Sequence, residues 1–329
     1  MKILYAIQAT GNGHISRAIQ ILPYLSKYGK IDILLSGQNS NLDLPAPVKY
    51  RFKGISLFYN LKGGLSYRKI MTKNSWHGSY KNALQLPVMD YDLIINDFEP
   101  ITAYACTLRQ KNSVQLSHQA SYLFPETPRP PSVNFFGEWI LSHYSSSKQA
   151  FGFHFQPYCR KIFSPVIKKE IEQAEVIDKG HITVYLSGLT TDFYLKQLSS
   201  IPDVLFHCFL PDVKEITRMK NIVFYPINYR LFTSSMIESH GVITGGGFET
   251  PAEALFLKKR LMSIPIQFHY EQECNAAALA KMGIPTLTGN QIQHLSSHIN
   301  KWLSCSYVAP EMSKCEVGEM IEEVVSAAA

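Results

Sequence analysis

No stretch of the 329 residues is long and apolar enough to cross a bilayer, which takes about 20 consecutive apolar residues in a helix. Lys2 and the short apolar run behind it have the outline of a secretory leader, but Gln8 and Gly11 break the run and no cleavage motif follows. Cysteine is sparse: the six residues at 106, 159, 208, 274, 305 and 315 fall singly, with no metal-ligand spacing. That excludes a zinc-ribbon or disulfide framework and suits reduced cytoplasmic thiols. Acidic residues are missing from 44 to 89, while Lys49, Arg51, Lys53, Lys62, Arg68, Lys69, Lys73 and Lys81 accumulate there. The net charge of +6 is therefore uneven, yet no nucleic-acid recognition motif accompanies it, and no nucleic-acid partner is expected. A total charged content of 18% with 46% hydrophobic residues is ordinary for a globular chain long enough for two cores.

What the chain does have is Gly245-Gly246-Gly247-Phe248-Glu249-Thr250-Pro251-Ala252-Glu253, then Glu271-Gln272-Glu273-Cys274-Asn275-Ala276. Val242-Ile243-Thr244 is a β-branched run suited to a buried strand, and residues 250–258 carry a helical pattern with Pro251 in the first turn. The glycines thus stand where a strand hands over to a helix. Such a turn offers bare backbone N–H groups and a positive dipole end to a phosphate. One helical turn on, Glu253 can accept two hydrogen bonds from a ribose, and Glu271 and Gln272 add polar groups where a sugar would sit.

Residues 241–283 resemble the donor-binding signature of GT-B glycosyltransferases, the group that holds the plant and antibiotic UDP-glycosyltransferases and the enzyme that makes lipid II. The matching elements are the Gly-rich turn, Thr250-x-x-Glu253, the strand Leu261-Met262-Ser263-Ile264-Pro265, and Glu271-Gln272-x-x-Asn275-Ala276. The resemblance implies that Gly246, Gly247 and Thr250 face a diphosphate, with Phe248 in the same turn. It further implies that Glu253 binds the ribose, that Glu271 and Gln272 contact the donor sugar, and that Asn275 belongs to the donor-binding set. It departs at Gly245, where plant members carry a phosphate-binding His, so phosphate contact at that point falls to the backbone.

At the amino terminus Lys2-Ile3-Leu4-Tyr5-Ala6-Ile7 reads as a buried strand, and Gly11-Asn12-Gly13-His14 turns into a helix whose Ala18, Ile19, Leu22 and Leu25 repeat on one face. The dinucleotide fingerprint Gly-x-Gly-x-x-Gly fails, because its third glycine is missing beside Arg17. Gly13-His14-x-x-Arg17 instead resembles the Gly-His-x-x-Pro loop of UDP-glycosyltransferases, with Arg in place of Pro. Gly13 then belongs with the donor contacts, and His14 is the general base that deprotonates the acceptor. Its expected companion is Asp97, the acid ending the apolar strand Leu93-Ile94-Ile95-Asn96. A carboxylate on the second ring nitrogen fixes the tautomer and raises basicity. An N-cap role for Asp97 is compatible with that pairing, and Asp92 and Glu99 read as ordinary surface or loop acids.

Strand and helix signals alternate through two arrays, at 1–160 and 181–310, joined by a charged linker at 161–180. This predicts an α/β protein of GT-B architecture, with two Rossmann-like parallel-sheet domains facing across a cleft. Strands are expected at 113–117, 181–188, 204–209, 222–225, 242–244 and 261–264, and a helix at 139–151. A last helix near 317–325 packs back on the first domain if the resemblance holds. Ser187 and Gly188 end the first strand of the second array, on the cleft side, and carry-over from the lipid II enzyme puts Ile227 against the nucleobase. His118 follows a strand into a Pro-rich loop and is both a second candidate base and an acceptor contact. Tyr67, Trp76, Phe58 and Tyr59, interleaved with the basic run, could stack on sugars or sit at a membrane surface.

The reading that follows is metal-independent, inverting sugar transfer from a nucleotide-sugar, with UDP favoured and TDP open. The acceptor is a hydroxyl on a small molecule, a glycan or a lipid-linked carrier. No metal or cofactor is expected, since no Asp-x-Asp motif stands where a divalent ion would hold the diphosphate. The location expected is the cytoplasm, with peripheral contact at the inner membrane face. Three alternatives use the same residues: a nucleotide-sugar hydrolase of the pseudaminic acid pathway type, a UDP-sugar 2-epimerase, and a non-catalytic sugar-nucleotide-binding subunit.

Overall fold

The structure, a computed structural model, describes residues 1–37, 44–55 and 67–328. The first half runs β1 (Lys2–Gln8), α1 (Asn12–Leu25), β2 (Lys30–Ser36), β3 (Val48–Phe52), α2 (Tyr67–Lys73), α3 (Trp76–Gln85), β4 (Leu93–Asp97), α4 (Pro100–Leu108), β5 (Val114–Ser117), α5 (Phe135–His143), β6 (Gln149–Phe153) and β7 (Ile162–Phe163). Among the described residues its seven strands form one parallel sheet in the order β3-β2-β1-β4-β5-β6-β7. Parallel strands are covered on both faces, which is why β1 is apolar and buried from Ile3 to Ile7 without alternation.

A linking segment containing the short α6 (Lys169–Glu172) leads to the second half. There follow β8 (Ile182–Tyr185), α7 (Thr191–Leu198), β9 (Phe206–Leu210), β10 (Thr217–Met219), β11 (Ile222–Pro226), α8 (Tyr229–Glu238), β12 (Gly241–Thr244), α9 (Glu249–Phe256), β13 (Arg260–Ser263), α10 (Tyr270–Lys281), α11 (Leu295–Ser304) and α12 (Val317–Ala328). The strand order is β10-β11-β9-β8-β12-β13, parallel except for the β10-β11 edge. The architecture is two parallel-sheet α/β domains facing across a cleft.

In each sheet the strand order reverses once, between β1 and β4 in the first and between β8 and β12 in the second. Loops leaving the carboxyl ends of neighbouring strands diverge at such a point and leave a crevice that takes ligands. The Gly11–Gly13 turn and Asp97 rise from the first reversal, Ser187 and the Gly245–Gly247 turn from the second. The halves also share apolar core: Leu116, Phe153 and Phe155 belong to the same cluster as Phe248, Ala252 and Leu255. The last helix, α12, packs on α1 and β6, burying Met320, Ile321 and Val324.

Two local expectations need correction. The helix expected over 139–151 is α5, which starts earlier because Asn134 caps it, its Oδ1 accepting from the Gly137 N–H at 2.9 Å. The chain then re-enters the sheet as β6, whose Phe151 and Phe153 are buried in the parallel sheet. Glu99 is not a surface acid: it is fully buried, and its two carboxylate oxygens accept from the N–H groups of Ile101 (2.9 Å) and Thr102 (2.6 Å) at the start of α4. Pro100 in the first turn completes that start. With the cap supplied by Glu99, the Asp97 carboxylate is left to pair with His14 and Arg17.

The halves touch tightly where α5 crosses α10. A Cβ built on Gly137 would stand 2.5 Å from Cδ1 of Tyr270, whose hydroxyl donates to Glu138 at 2.6 Å. Tyr270 is buried and cannot retreat without opening the cleft. Gly137→Ala is therefore expected to lower unfolding free energy by about 1–3 kcal/mol, read from urea midpoints; an unchanged midpoint would mean that the α5–α10 contact is not rigid.

Candidate active site

His14 lies in the first turn of α1 and Asp97 ends β4, adjacent to β1 in the sheet, so the fold brings the two together from 83 residues apart. His14 Nδ1 lies 2.8 Å from Asp97 Oδ1. Asp97 has no exposed surface, whereas His14 is partly open to the cleft. Burial pushes the Asp97 carboxyl up, but the Arg17 guanidinium and His14 outweigh it and hold it below the ordinary carboxylate range. The turn between Asp97 and Glu99 is strained: Phe98 has φ 56°, a left-handed value that non-glycine residues rarely adopt.

Arg17 is the residue the sequence reading missed. It appeared there only beside a missing glycine and in place of a proline. In the structure it is 2% exposed and carries the floor of the site. One terminal nitrogen donates to Asp97 Oδ1 at 2.8 Å and Oδ2 at 3.0 Å, and lies 3.0 Å from His14 Nδ1. The other donates to Glu249 Oε1 of the opposite half at 2.5 Å. Burial opposes the charge, yet Asp97 and Glu249 raise the guanidinium above its ordinary pKa, so the cation persists. A signal was available: Arg17 stands three residues after His14 on one face of a helix otherwise lined by Ala18, Ile21 and Leu25.

The glycine turn divides its labour. Gly246 is structural: a Cβ there would meet the Gln272 carbonyl oxygen at 2.7 Å and Pro265 Cβ at 2.9 Å. Its N–H donates to Gln272 Oε1 at 3.2 Å, and its carbonyl accepts from Asn275 Nδ2 at 2.9 Å. A Cβ on Gly247 meets nothing within 4 Å, so this is the glycine that opens onto the cleft. Gln272 and Asn275 thus hold the turn from behind, Gln272 also accepting from the Ile266 N–H at 2.9 Å. Phe248 is buried and stacks flat on the His118 ring, 4.0 Å between centroids at 4°. Thr250 lies partly exposed in the first turn of α9.

His118 is 2% exposed. Its Nδ1 contacts the Phe153 carbonyl at 2.7 Å, and its Nε2 lies 2.8 Å from Asn275 Oδ1, which also accepts from the Tyr122 hydroxyl at 2.5 Å. Both ring nitrogens are engaged, Nδ1 within the first half and Nε2 across to the second, and burial lowers the pKa. His118 is placed as an interdomain contact and not as an open base.

Glu253 is 2% exposed and meets Lys168 of the linking segment, whose Nζ is 2.9 Å from Oε1 and 3.1 Å from Oε2. Burial raises the Glu253 carboxyl to about 7, against the pull of Lys168. Neither Glu253 nor Lys168 lines the cavity that holds His14. Ser187, Gly188 and Ile227 are exposed at the carboxyl ends of β8 and β11, also outside that cavity.

The cavity has a volume of about 930 Å³. Gly13, His14 and Arg17 line it from the first half, and Gly247, Glu249, Glu271 and Gln272 from the second. Burial raises the Glu271 carboxyl, but His269 and His118 outweigh it and hold it low. The outer wall is aromatic: Trp76, Tyr80, Tyr104, Phe136 and Trp139 all face the cavity and remain 43–57% exposed. Phe58, Tyr59, Lys62 and the side chain of Tyr67 lie outside the described residues. Among the described residues no cluster of three His, Cys, Asp or Glu could hold a metal ion, and no helix is long and apolar enough to cross a membrane.

Residues 148–304 match the family model for glycosyl transferase family 1. Among solved structures the chain is similar to MurG from Acinetobacter baumannii, at 12% identity and TM-score 0.57 over 99% of each chain. It is similar to UGT89C1 from Arabidopsis thaliana complexed with UDP, at 11% identity and TM-score 0.56 over 100% of each. It is also similar to a candidate UDP-N-acetylglucosamine 2-epimerase from Listeria monocytogenes, at 10% identity and TM-score 0.63 over 99% of this chain and 96% of that one. No curated protein sequence matches the chain. The fold is GT-B, and the match to glycosyl transferase family 1 covers the second domain and the end of the first.

The buried pair at the linker yields a stability prediction. Unfolded Glu253 loses its proton near 4.5, whereas the folded carboxyl keeps it to about pH 7. The native state therefore binds more protons across that window, and its stability falls as pH rises through it. Glu253→Gln should flatten this slope, worth on the order of 3 kcal/mol, in urea unfolding at pH 5 and pH 7.5. Parallel slopes for the two proteins would show that Glu253 is ionised throughout.

Proposed function

We propose that this chain, whose residues 148–304 belong to glycosyl transferase family 1, moves a sugar from a nucleotide-sugar, UDP-linked by preference, to an acceptor hydroxyl with inversion and without a metal ion. The observation that carries the reading is the His14–Asp97 contact at 2.8 Å, facing the open Gly247 turn across one cavity.

The diphosphate lies at Gly247 and the amino end of α9, where backbone N–H groups and the helix dipole stabilise the charge that develops on leaving. Glu271 and Gln272 contact the donor sugar. Ser187, Gly188 and Ile227 take the nucleoside at the outer ends of β8 and β11. Glu253 meets the ribose hydroxyls by exchanging its Lys168 contact for them. His14 Nδ1–H donates to Asp97, which leaves Nε2 as the acceptor for the hydroxyl proton. As that oxygen attacks the anomeric carbon, the bond to the diphosphate oxygen breaks on the opposite face.

Exposed aromatics around the acceptor end support an acceptor with apolar or ring surface, including a lipid-linked one. Such a carrier would draw the Lys- and Arg-bearing helices α2 and α3 to an anionic membrane face from the cytoplasm. The Tyr80–Tyr104 and Phe136–Trp139 pairs, 5.8 and 6.1 Å between centroids, offer ring surface along the cavity wall.

Calorimetric titration with UDP, TDP and GDP tests the donor site first. Micromolar UDP binding that weakens in Glu253→Ala is expected; binding of none of the three would remove the donor site. With the donor established, His14→Ala should keep UDP affinity and lose about 10²–10⁴-fold in transfer rate, with EDTA leaving the wild-type rate unchanged. Release of free sugar at the same rate with and without acceptor would assign a hydrolase instead.

A further inference from the structure

The cleft holds an anion of its own. Glu249 is the first residue of α9, two positions beyond the open Gly247, and its side chain is 23% exposed. Its carboxylate reaches across to Arg17 at 2.5 Å and presses on the opposite glycine turn, where a Cβ built on Gly13 would stand 2.8 Å from Oε2. It therefore occupies the gap between the two glycine turns, at the positive end of α9 and against the most deeply buried cation of the site. Gly13, Arg17, Gly247 and Glu249 all line the same cavity.

We infer that Glu249 is an internal competitor for the donor's diphosphate, and that Arg17 is the cation the two exchange. This rests on the donor-site reading above. A phosphate oxygen accepts from a guanidinium N–H as a carboxylate oxygen does, so at the one Arg17 nitrogen that faces Glu249 the first can replace the second without moving Arg17. A diphosphate at Gly247 also stands close enough to repel an ionised Glu249, which turns away about its own side-chain bonds. The turn itself stays in place, because Phe248 is stacked on His118 and Gly246 is tied to Gln272 and Asn275. The exchange uses only the Arg17 nitrogen that faces Glu249; the other keeps its two bonds to Asp97. The His14–Asp97 geometry is thereby preserved while the leaving group gains a cation.

Glu249→Gln separates the charge from the shape and leaves buried Arg17 in place. Calorimetric titration of wild type and Glu249→Gln with UDP and with uridine reads the effect, with TDP or GDP and its nucleoside substituted if that is the nucleotide wild type binds. The variant is expected to bind UDP about tenfold more tightly and uridine with unchanged affinity. Equal or weaker UDP binding by the variant, with wild-type binding intact, overturns the inference and leaves the donor site standing. An equal gain for uridine also overturns it, because the effect would not run through phosphate. If neither protein binds any of the three nucleotides, the donor site and this inference fall together.

Discussion

A guanidinium with almost no exposed surface is the constraint around which this cleft is arranged. An isolated buried cation costs several kcal/mol, so Arg17 persists only because carboxylates stand on both sides of it. One of them, Asp97, belongs to the first domain and orients His14. The other, Glu249, belongs to the second domain and begins the helix behind the glycine turn. The same charge therefore holds the His14–Asp97 contact and spans the cleft, tying the spacing of the domains to the geometry of the base candidate. Losing either carboxylate would leave a buried charge less compensated, which is more costly than the pair is stabilising.

Around that ion network the polar contacts are second in line, and they are satisfied in pairs across the same boundary. Asn275 supports the glycine turn with its amide nitrogen while its oxygen meets His118 and Tyr122 of the other domain. Phe248 fills the space beside them by stacking on His118. The glycine turn is consequently stiff at Gly246 and open at Gly247, a useful combination for a backbone that must meet a ligand without rearranging. Preorganised N–H groups of this kind stabilise developing charge better than groups that must first be oriented. The opposite end of the cavity is of another character, an aromatic wall with little charge. The chemistry on offer thus changes from anion-binding to ring-stacking along one cleft.

Strand order explains why these groups converge. In both sheets the order reverses beside the first strand of the domain, and the cleft groups leave from the carboxyl ends there. The strand ends, though not the strand order, were legible in the chain, because buried parallel strands read as short apolar runs and their ends are marked by Gly11, Gly13, Asp97 and Gly245–Gly247. The helix expected over 139–151 was misplaced because an apolar segment entering a parallel sheet is buried on all sides, just as a core helix is, and the cap at Asn134 was overlooked. Glu99 was misread for a related reason: a capping acid and a surface acid have the same sequence context, and burial alone separates them.

By itself the sequence determined the two α/β arrays, the strand ends that carry His14 and Asp97, and the glycine turn before α9. All of these follow from local rules about periodicity, caps and backbone freedom that act within a few residues. Only the tertiary structure decided what Arg17 does, because its partner Glu249 is 232 residues away and nothing local announces the pairing. It likewise decided that Glu253 meets Lys168, 85 residues earlier, and that Gly246 is packed while Gly247 is open. Contacts across a cleft depend on how two separately folded sheets dock, and docking is set by the sum of many packed surfaces that no short run of residues encodes.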